Sequence, residues 1–557
     1  MKLVADYIAS PSLRQAVCAL SIGFLSAAAA AQTIVSAGEV LNLDGDTSFG
    51  RLTMDGGLIR LTNTFTGRGF SIDTNNATFL SGEIASRYVQ NGVHVLNLGG
   101  TTTINAIAGN GAAPAGGMFL TALSSEGSAS LYVRNLGEVS QTGSGPLVLR
   151  GKVVFENIRL AGAYTIRENG GVTTDGNYPD LVFRNAPGTT LRKVNGTGIS
   201  EINVPLEQET AKVEVWNGRL WLNGGGTHRD SRFFADVLGS NPNGELLFGS
   251  VHTFRENTLT ETGNFTLGGG STINVTSGTW DQKAFFTANG RINVSSGALL
   301  RNSGTLQTAF GGSLAGVGML GGGFENTSIG TFVGSLAGNP DGIENRLFVL
   351  NSGRFTVGGG DTVHAREFVN TAGKLTVDGV LDNRGGKLRL LGGELWGYGI
   401  VNGEGIQVGG GPTVAIFNPG GSPGTFTIEG AFELLPGGEL NLEVERNAGG
   451  GISFDRVVAG SFFLNGKVNL LVGDGVGEAD VTGLQFLDCG GACSVTYGSN
   501  FSFAFPGRPG SMLFAGENGL QITSLAPVPE PGAYAMLLTG LALLGGVASR
   551  RRRGVVA

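Results

Sequence analysis

Ile273-Asn-Val275-Thr-Ser-Gly278-Thr-Trp280 and, one short interval later, Ile292-Asn-Val294-Ser-Ser-Gly297-Ala-Leu299 decide the fold. Each reads apolar, any, apolar, two polar residues, glycine, any, apolar. Val213-Glu-Val215-Trp-Asn-Gly218-Arg-Leu220 and Phe348-Val-Leu350-Asn-Ser-Gly353-Arg-Phe355 repeat the pattern, with Trp216 the one break in the polar pair, and Phe368-Val-Asn-Thr-Ala-Gly373-Lys-Leu375 is a looser copy. The gaps from Gly218 to Gly278, Gly297, Gly353 and Gly373 come close to three, one, three and one units of nineteen or twenty. A second motif, Leu314-Ala-Gly316-Val-Gly318-Met, recurs as Leu395-Trp-Gly397-Tyr-Gly399-Ile about four units later. Period-two alternation marks short strands with one buried face. Glycine after Asn or Ser supplies the positive φ of a corner. Short strands cornered by glycine every ~20 residues stack as rungs, each hydrogen-bonded to the next at about 4.8 Å. The expected fold is therefore all-β: a parallel β-solenoid, specifically a single-stranded right-handed β-helix. Val213, Val215, Ile273, Val275, Ile292, Val294, Phe348 and Leu350 should point inward. No long amphipathic helix appears between Gln32 and Leu525.

Composition agrees. Glycine makes up 98 of 557 residues, far above the usual ~7%, without a collagen period and with too many aliphatics for disorder. Phenylalanine (32) outnumbers tyrosine (8) and tryptophan (4). A side chain with no polar atom suits a long, thin, dry core. The net charge is −7, and the only dense basic run is at the C-terminus, so nucleic acid is not expected as a partner. The four histidines, His94, His228, His252 and His364, are scattered in sequence, so no metal site and no cofactor are expected.

Both ends carry export features. Lys2 and Arg14 precede or flank the apolar stretch Ala16–Leu25, and Ala27–Ala31 offers small-residue cleavage sites, so residues 1–31 read as a secretory signal peptide cut before Gln32. Cys18 is lost with it. That leaves Cys489 and Cys493, in Cys-Gly-Gly-Ala-Cys, which an oxidising compartment favours as a disulfide; two free thiols are the alternative. At the other end, Val528-Pro529-Glu530-Pro531 is followed by seventeen uncharged residues, 532–548, and then by Arg550, Arg551, Arg552 and Arg553. The proline block stays extended and cannot join the following helix. At 1.5 Å per residue the uncharged block spans about 25 Å, short against a ~30 Å hydrocarbon core. The arginines hold the C-terminus in the cytoplasm and place the body across the membrane.

This tripartite tail resembles the PEP-CTERM sorting signal of Gram-negative bacteria, also known as the C-terminal domain of ice-binding surface proteins. The resemblance implies recognition by an exosortase, a membrane cysteine protease-transpeptidase, with processing near Val528–Pro531. It further implies a surface protein that accompanies exopolysaccharide or other matrix components. No repeated Thr-x-Thr ladder supports regular ice-binding rungs.

A second resemblance covers residues 390–475. Asn418-Pro-Gly-Gly-Ser422-Pro423-Gly424, Leu435-Pro-Gly-Gly-Glu-Leu440-Asn-Leu442, Phe454-Asp455-Arg-Val457 and Gly466-Lys-Val-Asn-Leu470 look like the end of an autotransporter passenger β-helix, although no translocator barrel follows. In that setting Asp455 is a structural position rather than a catalyst. The expected organisation is a signal peptide (1–31), a solenoid body (32–411), a C-terminal end with SPG turn and cap (412–525), and a sorting tail (526–557) with its membrane helix at 532–548.

Chemistry is sparse. Thr174-Asp175-Gly176-Asn-Tyr-Pro-Asp180 is similar to one polygalacturonase motif, but the second aspartate is displaced and the companion motifs are absent. Asp474-Gly-Val-Gly-Glu478-Ala-Asp480 is a compact acidic loop with oxygen ligands suited to calcium, and equally a solvated loop. Gly316-Val-Gly318-Met-Leu-Gly321 fits a dinucleotide fingerprint without the helix it requires. His228-Arg-Asp230 lacks every other kinase motif. The expectation is a non-enzymatic, exported surface or biofilm-matrix protein, held transiently in the membrane by its C-terminal helix and then placed on the surface or in the matrix. The alternative is a β-helix polysaccharide lyase or hydrolase acting on exopolysaccharide.

Overall fold

The structure, a computed structural model, describes residues 32–62, 71–86, 93–106, 117–122, 130–158, 162–235, 244–295, 297–308, 316–320, 323–327, 331–333, 336–338, 348–365, 367–383, 386–421, 423–491, 495–504, 512–516 and 519–524. The chain divides into two compact units. One runs to Glu325 with 330–332 and 339–344, and the other takes 326–329, 333–338 and 345 onward.

The first unit is a parallel β-helix. From Val153 on, each turn of chain lays down three short strands, and each strand pairs in parallel with the strand three places later. The first sheet contains Val182–Asn185, Leu206–Glu209, Gly226–Arg229, Val251–Arg255, Thr272–Val275 and Arg291–Ser295. The second contains Thr190–Lys193, Lys212–Val215, Arg232–Ala235, Thr258–Glu261, Gly278–Gln282 and Ala298–Asn302. The third contains Ile199–Ile202, Arg219–Leu222, Glu245–Phe248, Asn264–Leu267, Phe285–Ala288 and Thr305–Thr308. The rung length follows from register. Ile273 pairs with Ile292 and Leu206 with Gly226, so one rung takes about twenty residues. Earlier strands are longer: Thr47–Leu61, Ser71–Ser86 and Val93–Ile104 carry the chain through their bends, with register shifts where it turns.

Register corrects the reading of the glycine intervals. Gly218 turns from the second sheet into the third, whereas Gly278 and Gly297 turn from the first into the second. Gly218 and Gly278 are thus two and two-thirds turns apart, not three. The motif is a strand-corner-strand unit that serves more than one corner, and insertions such as 236–243 lengthen individual rungs. Gly218, Gly278, Gly297 and Gly373 have φ of 73°, 70°, 80° and 72°, as a glycine corner requires. Not every corner uses glycine. Thr210, Asp230 and Glu256 take φ of 49°, 48° and 57° at the corner from first to second sheet on three successive rungs.

Val213, Val215, Ile273, Val275, Ile292 and Val294 are fully buried, as their alternation requires. The Phe348 copy differs. Val349 is buried and Leu350 is half-buried, while the side chain of Phe348 lies outside the described residues. Here Val349, Asn351 and Phe355 face in, so the buried positions of this strand lie one residue out of phase with the Phe348 and Leu350 pair. Aromatic rings fill the core by stacking between rungs. Phe155 and Phe183 lie 5.0 Å apart at 10°, with Tyr164 edge-on to both, and Phe248, Phe265 and Phe286 form a second pile against Trp280.

The core is not wholly apolar. Asn135 Nδ2 donates to Asn157 Oδ1 (2.9 Å), and Asn157 Nδ2 to Asn185 Oδ1 (2.7 Å), all three fully buried. The next rungs place Gln208 beside His228 (2.9 Å) and His228 Nε2 beside His252 Nδ1 (2.8 Å), and His252 Nε2 reaches the Leu222 carbonyl at 3.0 Å. Proton accounting orders this column. His252 must donate Nε2–H to the carbonyl, so its Nδ1 accepts from His228 Nε2–H, and His228 Nδ1 needs a donor. Gln208 supplies one if its amide presents Nε2. Asn185, the register partner of Gln208, has an Nδ2 without a hydrogen-bond partner, and so does Gln208 at Nε2.

The second unit repeats the scheme. Phe368 pairs with Leu388 and Leu388 with Ile406, again about twenty residues to the rung. Asn326, Asn351 and Asn370 form a second buried ladder, with bonds of 2.7 and 2.5 Å, that ends on the Gly392 carbonyl at 2.7 Å. Rungs then lengthen: Phe432 pairs with Phe462, so that turn takes roughly half as much chain again. Among the described strands, antiparallel pairs appear beyond this point. Val444–Arg446 pairs with Ile452–Phe454, and Gly519–Ser524 pairs with both Gln485–Asp488 and Met512–Gly516. A short helical turn, Glu478–Val481, interrupts them. Among the described residues no helix is long and apolar enough to cross a membrane, and the predicted span 532–548 lies outside them.

Candidate functional site

Of the acidic candidates, Asp175, Asp180 and Asp480 have basic partners, and Asp474 is exposed. Asp175 Oδ2 accepts from Arg150 Nε at 2.6 Å, and Asp180 sits 3.8 Å from Lys152 Nζ. Arg150 also lies over the Phe119 ring, 4.0 Å from its centroid. Each aspartate therefore faces its own cation. In the acidic loop, Asp480 Oδ2 takes Arg446 Nη2 at 2.5 Å and the Gly477 N–H at 2.8 Å, while Arg446 Nε donates to the Gly475 carbonyl. Asp480 is thus neutralised by Arg446, and the side chain of Glu478 lies outside the described residues. Among the described residues no three His, Cys, Asp or Glu side chains are grouped to hold a metal.

Asp455 is 1% exposed and accepts backbone N–H groups from Gly424 (2.9 Å) and Glu443 (2.8 Å). Arg456 N–H donates to the Gly424 carbonyl beside it. The side chain thus fastens the turn at Pro423-Gly424 to the strand at Gly438–Arg446. Burial pushes its carboxyl up to about 7, against the two N–H groups, which favour the charged form.

The histidines are not all scattered. His228 and His252, 24 residues apart, meet in the core, because one rung plus an insertion separates them. Burial drives both pKa values down: His228 well below its usual value, reinforced by the His252 charge, and His252 to about 4. His364 pairs instead with Asp382 at 2.8 Å. Lys193 is fully enclosed and donates to the carbonyls of Glu168 and Asn195 and to Ser200 Oγ, and burial lowers it to about 8. Each of these groups is consumed by structure.

Sequence reasoning missed the asparagine ladders and the outward columns. The signal for the first was present: Val133-Arg-Asn135, Phe155-Glu-Asn157, Phe183-Arg-Asn185 and Phe324-Glu-Asn326 share an apolar, charged, asparagine order. The charged middle residue faces out and pairs across rungs. Arg134, Glu156, Arg184 and Glu207 form a continuous ladder with contacts of 3.8, 3.1 and 2.9 Å. On the third sheet, Arg219, Glu245, Asn264 and Phe285 occupy one outward register position on four successive rungs.

Cys489 is disulfide-bonded, and Cys493 lies outside the described residues. The sorting residues Val528, Pro529, Glu530 and Pro531 and the arginines at 550–553 also lie outside them. They are reached by comparison. A family profile described as the PEP-CTERM protein-sorting motif matches residues 527–553. The chain carries a PEP-CTERM sorting signal. A PEP-CTERM signal implies export, transient membrane anchoring and processing by an exosortase. No curated protein matches the chain.

Proposed function

We propose that this is a non-enzymatic surface or matrix protein, in which an exosortase-processed tail delivers a β-helix whose repeated polar faces attach to exopolysaccharide or other matrix components. One observation carries the reading: a PEP-CTERM signal closes a chain whose described body is stacked parallel rungs. The candidate acids Asp175, Asp180, Asp455 and Asp480 are each engaged by a cation or by backbone donors. Hydrolysis of a glycosidic bond needs two carboxylates flanking that bond, and lyase chemistry needs a free base with charge-neutralising partners. Rungs offer similar shallow faces many times, which suits weak multivalent attachment. Deleting the gene should reduce aggregation or matrix cohesion, while the purified protein leaves polysaccharide chain length unchanged. Release of reducing ends or of ultraviolet-absorbing unsaturated sugars would overturn the reading in favour of a polysaccharide-cleaving enzyme.

A further inference from the structure

We propose that the outward face of the third sheet in the first unit holds a binding groove for a neutral polysaccharide chain. This rests on the attachment reading above and assigns it a place. A groove of about 730 Å³ is lined by Arg219, Glu245, Asn264, Thr266, Phe285 and Thr287, among others. Its axis crosses the rungs. Arg219, Glu245, Asn264 and Phe285 are successive register partners, so the column runs about 14 Å along the stack.

The lining has the chemistry of a sugar site. Phe285 is 43% exposed, an apolar ring left in water. Its neighbour Phe286 faces inward and stacks with Phe265 and Phe248, so alternation alone forces Phe285 out. The polar groups of the lining are an exposed amide, three threonine hydroxyls and one ion pair. Arg219 Nε lies 3.8 Å from Glu245 Oε2, and Thr266 Oγ1 donates to Glu245 Oε1 at 2.9 Å. The two charges cancel. A polyanion meets a carboxylate beside the lining cation, and a polycation meets the reverse. A neutral sugar has an apolar ring face to lay on Phe285 and hydroxyls that match amide, hydroxyl, carboxylate and guanidinium partners. The lining is mostly polar, so hydroxyl-matching partners predominate and Phe285 supplies the exposed ring on which a sugar can lie.

The test is affinity electrophoresis of the mature protein through gels containing hydroxyethyl cellulose, laminarin or polygalacturonate, alongside pull-down on native extracellular matrix. At least one neutral glucan should retard the wild type. Phe285→Ala should weaken that binding at least tenfold, and Phe285→Trp should restore it. The ring lies outside the core, so both variants should melt with the wild type. Equal retardation of wild type and Phe285→Ala, retardation by polygalacturonate alone, or no retardation by either glucan overturns the groove. Undiminished matrix binding by Phe285→Ala would overturn the groove while leaving the attachment reading intact. Failure of the wild type to bind matrix would overturn the attachment reading itself.

Discussion

At the scale of single residues, two corner glycines that look alike in sequence have different jobs. Gly297 and Gly373 have similar φ, 80° and 72°, but a Cβ on Gly297 would meet none of the described residues, while one on Gly373 would be driven into the Gly353 carbonyl of the previous rung. Gly297→Ala should cost about 1 kcal/mol, the left-handed penalty alone. Gly373→Ala should cost at least ~1 kcal/mol more, because backbone has to move. Denaturant melts of the two variants check the ranking, and equal losses would contradict the stacking of corners. Val294→Asp should be severe, at least ~3 kcal/mol, since an unpaired carboxylate would enter a position with no exposed surface.

At the scale of elements, the buried polar columns set register. A strand that slips by one residue turns its side chains to the opposite face. Such a slip in Val153–Asn157 would take from Asn185 the donor to its Oδ1 and from Asn135 one of the acceptors of its Nδ2, both inside the core. Asn157→Leu should therefore cost about 2–4 kcal/mol, because Asn185 loses its donor, Asn135 loses one acceptor, and a larger apolar side chain replaces the amide. The two units should also answer pH in opposite directions. His252 falls to about 4 in the folded first unit, against an ordinary value of 6.5, so its contribution is complete above 6.5 and is lost as pH drops toward 4. That loss is worth up to ~3 kcal/mol. Asp455, in the second unit, rises to about 7 from 3.8. Its contribution is complete below 3.8 and is lost as pH climbs to 7. Amide hydrogen exchange, corrected for intrinsic rates, should show Gly226–Arg229 and Val251–Arg255 loosening on acidification. His252→Gln should remove its own share of that slope in the first unit and leave the share of His228, and Asp455→Asn should remove the opposite one at Thr425–Leu434.

At the scale of the whole molecule, the signal at 527–553 governs where the protein goes. Mass spectrometry of surface-associated protein should recover peptides from the strands but none containing Arg550–Arg553, and intact C-terminal peptides in mature material would contradict processing. Thiol labelling of the same material without prior reduction should leave Cys489 unmodified, since it is disulfide-bonded. The tail supplies the address, and in the proposed function the rungs supply the contact surface.

Sequence by itself determined the strand period, the glycine corners and the address. These are local properties: alternation needs only neighbouring residues, positive φ needs only one residue, and the tail is contiguous. Tertiary structure decided what depends on stacking. It showed that the motif turns more than one corner, so that Gly218 and Gly278 are not whole turns apart. It turned Asn351 rather than Leu350 into the core, and it brought His228 to His252. It also aligned Arg219, Glu245, Asn264 and Phe285 into one column. Residues a full rung or more apart become neighbours only when rung lengths are fixed, and insertions at the corners change those lengths without disturbing the alternation that makes each strand.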